Sequence, residues 1–403
     1  MNSEAPSKIV LIYHRLEMGG IETLIVRAAN SFAKKGHEVI IFARSGVLES
    51  ALDENIQVIN FDRYNEIIQR HYKLAKNAVL VSFDPLSYMV MQRIQLKIHL
   101  LTRGTSRGHA GIFHPRTLFW DGDPAIVKFT VKLVFFLSSP KSFFFMSESV
   151  KLSSEIGLGV KTSLSNPIIK LPIASDVQQQ WAPRAKMPMK IVSVGRIVPF
   201  KSYNRQIPKI MAELRLLGIK AHWDVWGDGT DLDEVSSEIQ KYDVADSVKL
   251  RGNLDYKDLS NVILDSDLFV GMGTAALEAS ILGVPTICCI DQERENCYGF
   301  LFDAPSDSIG ERSDKGNIKS ILQTIMSYVN TPIDERILIG KKCRIAALSK
   351  SGGSDYNQLL EAPTWPGSVF RDTLSIFLSS PYLFAVDSRR SRSIFKFLRR
   401  VLS

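Results

Sequence analysis

The sequence predicts an α/β protein made of two doubly wound domains. Apolar, strand-like runs alternate with amphipathic stretches in two separate series, one in each half of the chain. Between the series lies NPIIKLPIASDVQQQWAPRAKMPMK, whose four prolines mark a linker or hinge. The length, 403 residues with 45% hydrophobic and 23% charged content, suits two sizeable cores. Ligands of such sheets bind beyond the carboxyl ends of the strands, so a cleft between two facing domains is the expected site.

The first series opens with KIVLIY (8–13) as a strand, GGIETLIVRAANSFAKKG (19–36) as a helix and HEVIIFA (37–43) as a second strand. Further strand-like runs are QVINFD (57–62), AVLVSF (78–83), IHLLTR (98–103) and SFFFMSES (142–149). Continuous Val, Ile, Leu and Phe runs of this kind are how a parallel sheet buried on both faces reads. The second series starts at KIVSVG (190–195), followed by a helix near 202–217, AHWDVWGDG (221–229) and a helix near 231–242. It continues through SVKLRG (247–252), DYKDLSNVILDSD, LFVGMG (268–273), AALEASILG (275–283) and VPTICCI (284–290). The expected division is an amino-terminal domain over 1–165, a linker over 166–189, a second domain over 190–335, and carboxy-terminal helices with a basic tail over 336–403.

A net charge of +8 favours an anionic partner: nucleotide phosphates, a membrane surface or nucleic acid. Basic residues are not interleaved with aromatics along any one segment, which speaks against nucleic acid. Cys288, Cys289, Cys297 and Cys343 lack metal-ligand spacing and read as reduced thiols of a cytosolic protein. The start MNSEAPSKIVLIY does not read as a signal peptide. The most apolar window, 125–146, is broken by Lys128, Lys132, Pro140 and Lys141, so no membrane span is expected.

Four strand ends carry the residues of interest. In HRLEMGGIETL, Gly19 and Gly20 precede a helix whose first turn holds Glu22 and Thr23. This is either a backbone cradle for an anion at a helix start or a tight turn without a ligand. It is not GxGxxG, which weakens a dinucleotide reading. WGDGTDLDE puts Gly227 and Gly229 before a helix capped by Thr230 or Asp231, and its acidic start fits a structural turn better than a phosphate site. In LFVGMGTAALEASILGVPTI, Gly271, Gly273, Thr274, Ala275 and Ala276 open a helix to which a ligand could lie close. Glu278, about one turn further, could reach ribose hydroxyls beside an anion held there. VGRIVPFK (194–201) follows the strand KIVSVG directly. Arg196 and Lys201 there offer a diphosphate a planar fork and a point charge, on a loop stiffened by Pro199.

The succession MGGIETLIVRAANSFAKKGHEVIIFA, VGRIVPFKS, WGDGTDLDE, VKLRGNL and VGMGTAALEASILGVPTI resembles the family 4 retaining glycosyltransferases of GT-B fold, over roughly 8–330. The resemblance implies two Rossmann-like domains, acceptor side first and nucleotide-sugar donor side second. It also implies transfer of a sugar to a glycan or lipid-linked acceptor with retention of configuration, in bacterial surface-polysaccharide assembly. Arg196 and Lys201 would then bind the donor diphosphate and act in catalysis, and Glu278 would bind the ribose. Gly19 and Gly20 would face the donor phosphate, Arg251 and Gly252 would lie near the base, and Gly273, Thr274, Ala275 and Ala276 would meet the diphosphate. With cations and helix amides stabilising the leaving group, neither a metal nor another cofactor is expected. DGD at 121–123 reads as a turn.

The sequence departs from the family pattern in places. Val270 stands where the first glutamate of Glu-x7-Glu is common, and VGMG replaces an EGFG-type segment. A histidine often lies near the reacting centre in the first domain; His109 is the candidate here, with His114 behind it. The tail SRRSRSIFKFLRRVLS places an apolar stripe opposite basic residues. It reads either as an interfacial helix for an anionic membrane, over 389–403, or as a helix packing on the first domain. The expected location is cytoplasmic, with the tail as a means of attachment to the inner face of the plasma membrane. Two other readings stay open: a non-catalytic GT-B shell that binds nucleotide or glycan, and a nucleotide-sugar epimerase of the same fold.

Overall fold

The computed structural model describes residues 7–102, 106–114, 118, 125–138, 142–158, 166–173, 181–183, 188–353 and 356–361. The chain divides into two compact units. One comprises the described residues of 7–17, 21–170 and 356–361, the other 18–20 and the described residues of 171–353.

The first unit holds a six-stranded parallel sheet in the order β3-β2-β1-β4-β5-β6. The strands are β1 (Lys8–Arg15), β2 (Glu38–Arg44), β3 (Gln57–Ile59), β4 (Ala78–Ser82), β5 (Arg107–Ile112) and β6 (Phe143–Phe145). Ile9, Val10, Leu11 and Ile12 are fully buried although successive side chains point to opposite faces, so both faces of the sheet are covered. The helices are α1 (Gly20–Lys34), α2 (Tyr64–Glu66), α3 (Pro85–Thr102), α4 (Ala125–Leu137), α5 (Glu148–Leu158) and, near the end of the chain, α12 (Gln358–Glu361). In α1, Leu24, Ile25, Ala28, Ala29 and Phe32 recur at helical spacing and form its buried stripe.

One expected strand is overturned. IHLLTR is not a strand, because 98–102 is the last turn of α3, where Leu100 and Leu101 stand exposed. The strand in that place is RGHAGI, Arg107–Ile112, which starts nine residues further on and whose glycines and histidine give no apolar run. His109 therefore sits within a strand.

The second unit holds a seven-stranded sheet in the order β13-β12-β11-β10-β7-β8-β9. Five strands are parallel: β7 (Met189–Val194), β8 (Ala221–Trp226), β9 (Val248–Gly252), β10 (Leu268–Gly271) and β11 (Thr286–Cys289). Two antiparallel strands, β12 (Asn296–Phe300) and β13 (Lys319–Ser320), extend one edge. The helices are α6 (Ile207–Leu216), α7 (Leu232–Lys241), α8 (Leu259–Leu264), α9 (Thr274–Ile281), α10 (Ile321–Val329) and α11 (Ile333–Lys350).

Described parts of the proline-rich segment are fastened to one unit or the other. Ile168 bridges Phe145 beside β6, and Asn166 Nδ2 donates to Phe143 O at 2.7 Å. Trp181 belongs to the second unit: its ring packs with Val192, Phe269, Ala276 and Ala279, and its Nε1 donates to Ser266 O at 2.6 Å.

In each sheet the strand order reverses beside the first strand, between β1 and β4 and between β7 and β10. The crevice at such a switch point is where a doubly wound sheet takes its ligand.

Candidate functional site

In the second unit the loops after β7 and β10 flank the switch point. The chain leaves β7 through Gly195 and reaches Arg196 at once. Gly195 N donates to Trp226 O at 2.9 Å, Ile197 N to Asp228 O at 2.9 Å, and Asp231 N to Ile197 O at 3.0 Å. The loop after β7 is thus laced by backbone bonds to the loop after β8. A side chain at Gly227 would fall on the carbonyl of Gly195, and one at Gly229 on that of Ile197, so both glycines serve this close backbone approach. The WGDG turn is structural in that sense. The acidic start of α7 is neutralised within the unit: Arg205 Nη2 lies 2.7 Å from Asp231 Oδ2, and its Nε 3.0 Å from Glu234 Oε2.

Between the two basic residues, Ile197 is fully buried and pins the loop. Pro199 opens a 3-10 stretch, Pro199–Gln206, which breaks at Lys201 (φ −93°, ψ 50°). The break turns the Lys201 side chain back over the strand end, where its Nζ occupies the space a side chain on Gly195 would need. Arg196 is exposed and Lys201 half-buried. Neither makes an ion pair with a carboxylate among the described residues. Burial, and then the neighbouring Arg196 guanidinium, bring the Lys201 ammonium down to about 8. At neutral pH it is still mostly charged.

Across the switch point, Gly273 is the N-cap of α9 with φ 73° and no side-chain cap. Leu277 N is the first helix amide bonded back to Gly273 O, at 3.2 Å, so those of Thr274, Ala275 and Ala276 have no partner in the helix ladder. They provide partial positive charge at the end of β10, the strand beside β7, which Arg196 and Lys201 follow. Ala276 and Ala279 are fully buried against Val192 and Phe269, and their small size lets the helix lie close to β7 and β10. Glu278 is half-buried on the same helix. The arrangement can accept a polyanion at the helix start, with hydroxyl-bearing groups within reach of Glu278.

Residues 176–296, which include Arg196, Lys201, Arg251, Gly273 and Glu278, match the family described as glycosyl transferases group 1. No curated protein sequence matches the chain. Among solved structures, a TarM variant from S. aureus in complex with fondaparinux, alpha-GlcNAc-glycerol and UDP is similar at TM-score 0.62 and 13% identity, covering 92% of this chain and 99% of that one. HepE from Anabaena in complex with UDP is similar at TM-score 0.58 and 12% identity, covering 93% and 100%. WaaG, a glycosyltransferase involved in lipopolysaccharide biosynthesis, is similar at TM-score 0.54 and 14% identity, covering 88% and 98%. The fold is GT-B.

Of the remaining candidates in this GT-B chain, Gly20 is grouped with the second unit, where a side chain on it would meet Thr274 Oγ1 at 3.1 Å; the others lie on other elements. Arg251 and Gly252 end β9, two strands from β7. Arg251 Nε is engaged by Asp224 Oδ1 at 2.8 Å, and Gly252 O accepts from Gly227 N at 2.7 Å. Val270 is fully buried in β10; its carbonyl accepts from Ser193 Oγ at 2.7 Å, and Ser193 Oγ accepts from Trp223 Nε1 at 2.9 Å. Gly19 and Gly20 lie at the end of β1, the switch point of the first sheet, followed by Glu22 and Thr23, both buried.

His109 is fully enclosed in β5. Its Nε2 is bonded to the carbonyl of Leu359 in α12, and burial brings the imidazole down to about 4, so it is neutral at physiological pH. His114 is half-buried just beyond the same strand. The DGD segment at 121–123, read as a turn from the sequence, and the tail at 389–403 lie outside the described residues. Among the described residues no three His, Cys, Asp or Glu side chains form a metal-type cluster, and no helix is long and apolar enough to cross a membrane.

One feature of the site had no sequence signal. The loop 308–311 meets the N-cap of α9: Gly273 N donates to Ile309 O at 2.6 Å. Residues 305–314, PSDSIGERSD, show no periodicity that would tie them to a helix thirty residues earlier.

Proposed function

We propose that this protein is a retaining, metal-independent glycosyltransferase of the family 4 type. It moves a sugar from a nucleoside diphosphate sugar to a glycan or lipid-linked acceptor in the assembly of bacterial surface polysaccharide. The observation that carries the reading is the pair Arg196 and Lys201, without a counter-ion among the described residues, opposite the uncapped start of α9 at one switch point.

As the glycosidic bond breaks, negative charge collects on the leaving diphosphate. Arg196 offers a planar fork to its oxygens, Lys201 a point charge and α9 its first amides, all fixed before the reaction. Charge stabilisation from these groups leaves no role that a divalent cation must fill. Glu278 holds the ribose, and the acceptor hydroxyl attacks on the face the diphosphate leaves. The similar structures that contain UDP support a nucleotide donor, and WaaG supports a surface-polysaccharide acceptor. A cytosolic setting fits the cysteines, all four of which are free and buried.

A second reading, a GT-B shell that binds nucleotide without transfer, is favoured by Val270, whose buried side chain brings no carboxylate to the strand end. Calorimetry with UDP, GDP and ADP tests the donor site. The wild type binds one of the three selectively, and Arg196→Ala with Lys201→Ala weakens it about a hundredfold or more, two charge-assisted contacts being lost. Binding equal in wild type and double mutant would remove the donor assignment. If binding is intact, sugar transfer from the matching nucleotide sugar separates the enzyme from the shell, and consumption of the donor without acceptor points to an epimerase.

A further inference from the structure

We infer that Glu311 is a positioning residue that holds the N-terminus of α9 in place and, through it, the diphosphate-binding amides. This rests on the donor-site reading above.

Residues 304–311 form a strap that is buried at Ala304 and over 308–311. Glu311 is 6% exposed, and its Oε2 accepts from Ile309 N at 2.8 Å, while the one hydroxyl proton of Ser308 faces both Glu311 O at 2.8 Å and Oε2 at 3.3 Å. Gly310 N donates to Ser308 Oγ at 3.1 Å, so the carboxylate and the serine close the strap on itself. The strap is then fixed to its surroundings. Gly273 N, at the N-cap of α9, donates to Ile309 O at 2.6 Å, and Asp291 N, beyond β11, donates to Gly310 O at 2.7 Å. Tyr298 of β12 donates its hydroxyl to Glu311 O at 2.8 Å. At the other end Lys350 Nζ donates to Ala304 O at 3.2 Å. A Cβ at Gly310 would come within 2.6 Å of Met272 Cβ and 2.9 Å of Cys289 O, which shows how closely the strap lies on the turn between β10 and α9.

Ile309 is the link. Its amide is fixed by the Glu311 carboxylate and its carbonyl takes the N–H of Gly273. Gly273 has no side chain to cap the helix and adopts φ 73°, and the strap supplies the acceptor for its backbone N–H where α9 begins. Losing the carboxylate leaves Ile309 N buried without its acceptor, and the helix start loses its fixed direction. Burial raises the Glu311 carboxyl, and a neutral amide oxygen can accept the same bonds.

The test compares Glu311→Ala with Glu311→Gln, using calorimetry with UDP, GDP and ADP and with the bare nucleosides, and amide hydrogen exchange at Gly273. Glu311→Ala is expected to weaken the bound nucleoside diphosphate about tenfold, to leave the matching nucleoside within about threefold, and to lose protection at Gly273. Glu311→Gln is expected to restore both. Equal loss of nucleoside and diphosphate, no loss in Glu311→Ala, or no rescue by Glu311→Gln would overturn the positioning role. A wild type that binds none of the three nucleotides would instead sink the donor-site reading. Exchange at Gly273 then still decides on Glu311: protection lost in the alanine variant supports its hold on the helix, and protection kept overturns it.

Discussion

At the residue scale, charge and burial set what each side chain can do. Lys201 keeps its proton below about pH 8, so its pull on a diphosphate weakens as pH rises through that value. Between pH 7 and 9.5 the wild type should lose nucleotide affinity progressively, while Lys201→Ala, already weaker, stays flat; titration calorimetry across that range checks it. His109 behaves differently. Its imidazole, ordinarily near 6.5, is held at about 4 by burial, so the unfolded chain binds a proton that the folded chain refuses. The stability this gives is complete above about pH 6.5 and falls as pH drops towards 4. At pH 5 the loss from His109 is about 2 kcal/mol. His109→Gln, which keeps a donor for Leu359 O, should lower the melting temperature at pH 7 but flatten its decline between pH 7 and pH 5. The histidine was legible in SRGHAGIFHP as a candidate, but its place inside a strand was not, because a strand with two glycines shows no apolar period.

At the element scale, the second unit depends on one residue from the proline-rich segment. Trp181 belongs to the apolar cluster that α9 and the sheet share, and it donates its Nε1 proton to Ser266 O. Trp181→Ala should cost about 3–5 kcal/mol, and Trp181→Phe, which keeps most of the ring and loses the N–H, distinctly less. Chemical denaturation of both variants measures the difference. Because Trp181 shares a core cluster with Ala276 and Ala279 of α9, the alanine variant should also lose nucleotide affinity. Strands β7 to β11 and their helices were readable from alternating apolar runs. The antiparallel pair β12 and β13 was not, since NCYGF carries no apolar run and KS is only two residues, and both are recruited by pairing along the edge.

At the scale of the whole molecule, the chain comprises two compact units. Peripheral attachment through the basic tail is an expectation from the sequence, and the full chain tests it. Deleting 389–403 should release the protein from vesicles containing anionic lipid, with nucleotide affinity unchanged, and sedimentation with such vesicles at two salt concentrations measures it. Binding that survives the deletion would move the membrane contact elsewhere or remove it.

The sequence by itself determined the two-series α/β architecture, the break between the series and the identity of the basic pair, because strand burial and turn chemistry are local and leave a period or a spacing in the chain. It also determined that α9 begins after Gly273, since the small residues and the glycine stand together. Tertiary structure alone decided that Gly227 and Gly229 serve backbone contact with the neighbouring loop, that Arg251 is held by Asp224, that His109 is sealed against Leu359, and that Glu311 reaches the start of α9 through Ile309. These are meetings of residues far apart in the chain, brought together by sheet order and loop packing, and neither leaves a periodic trace in the sequence.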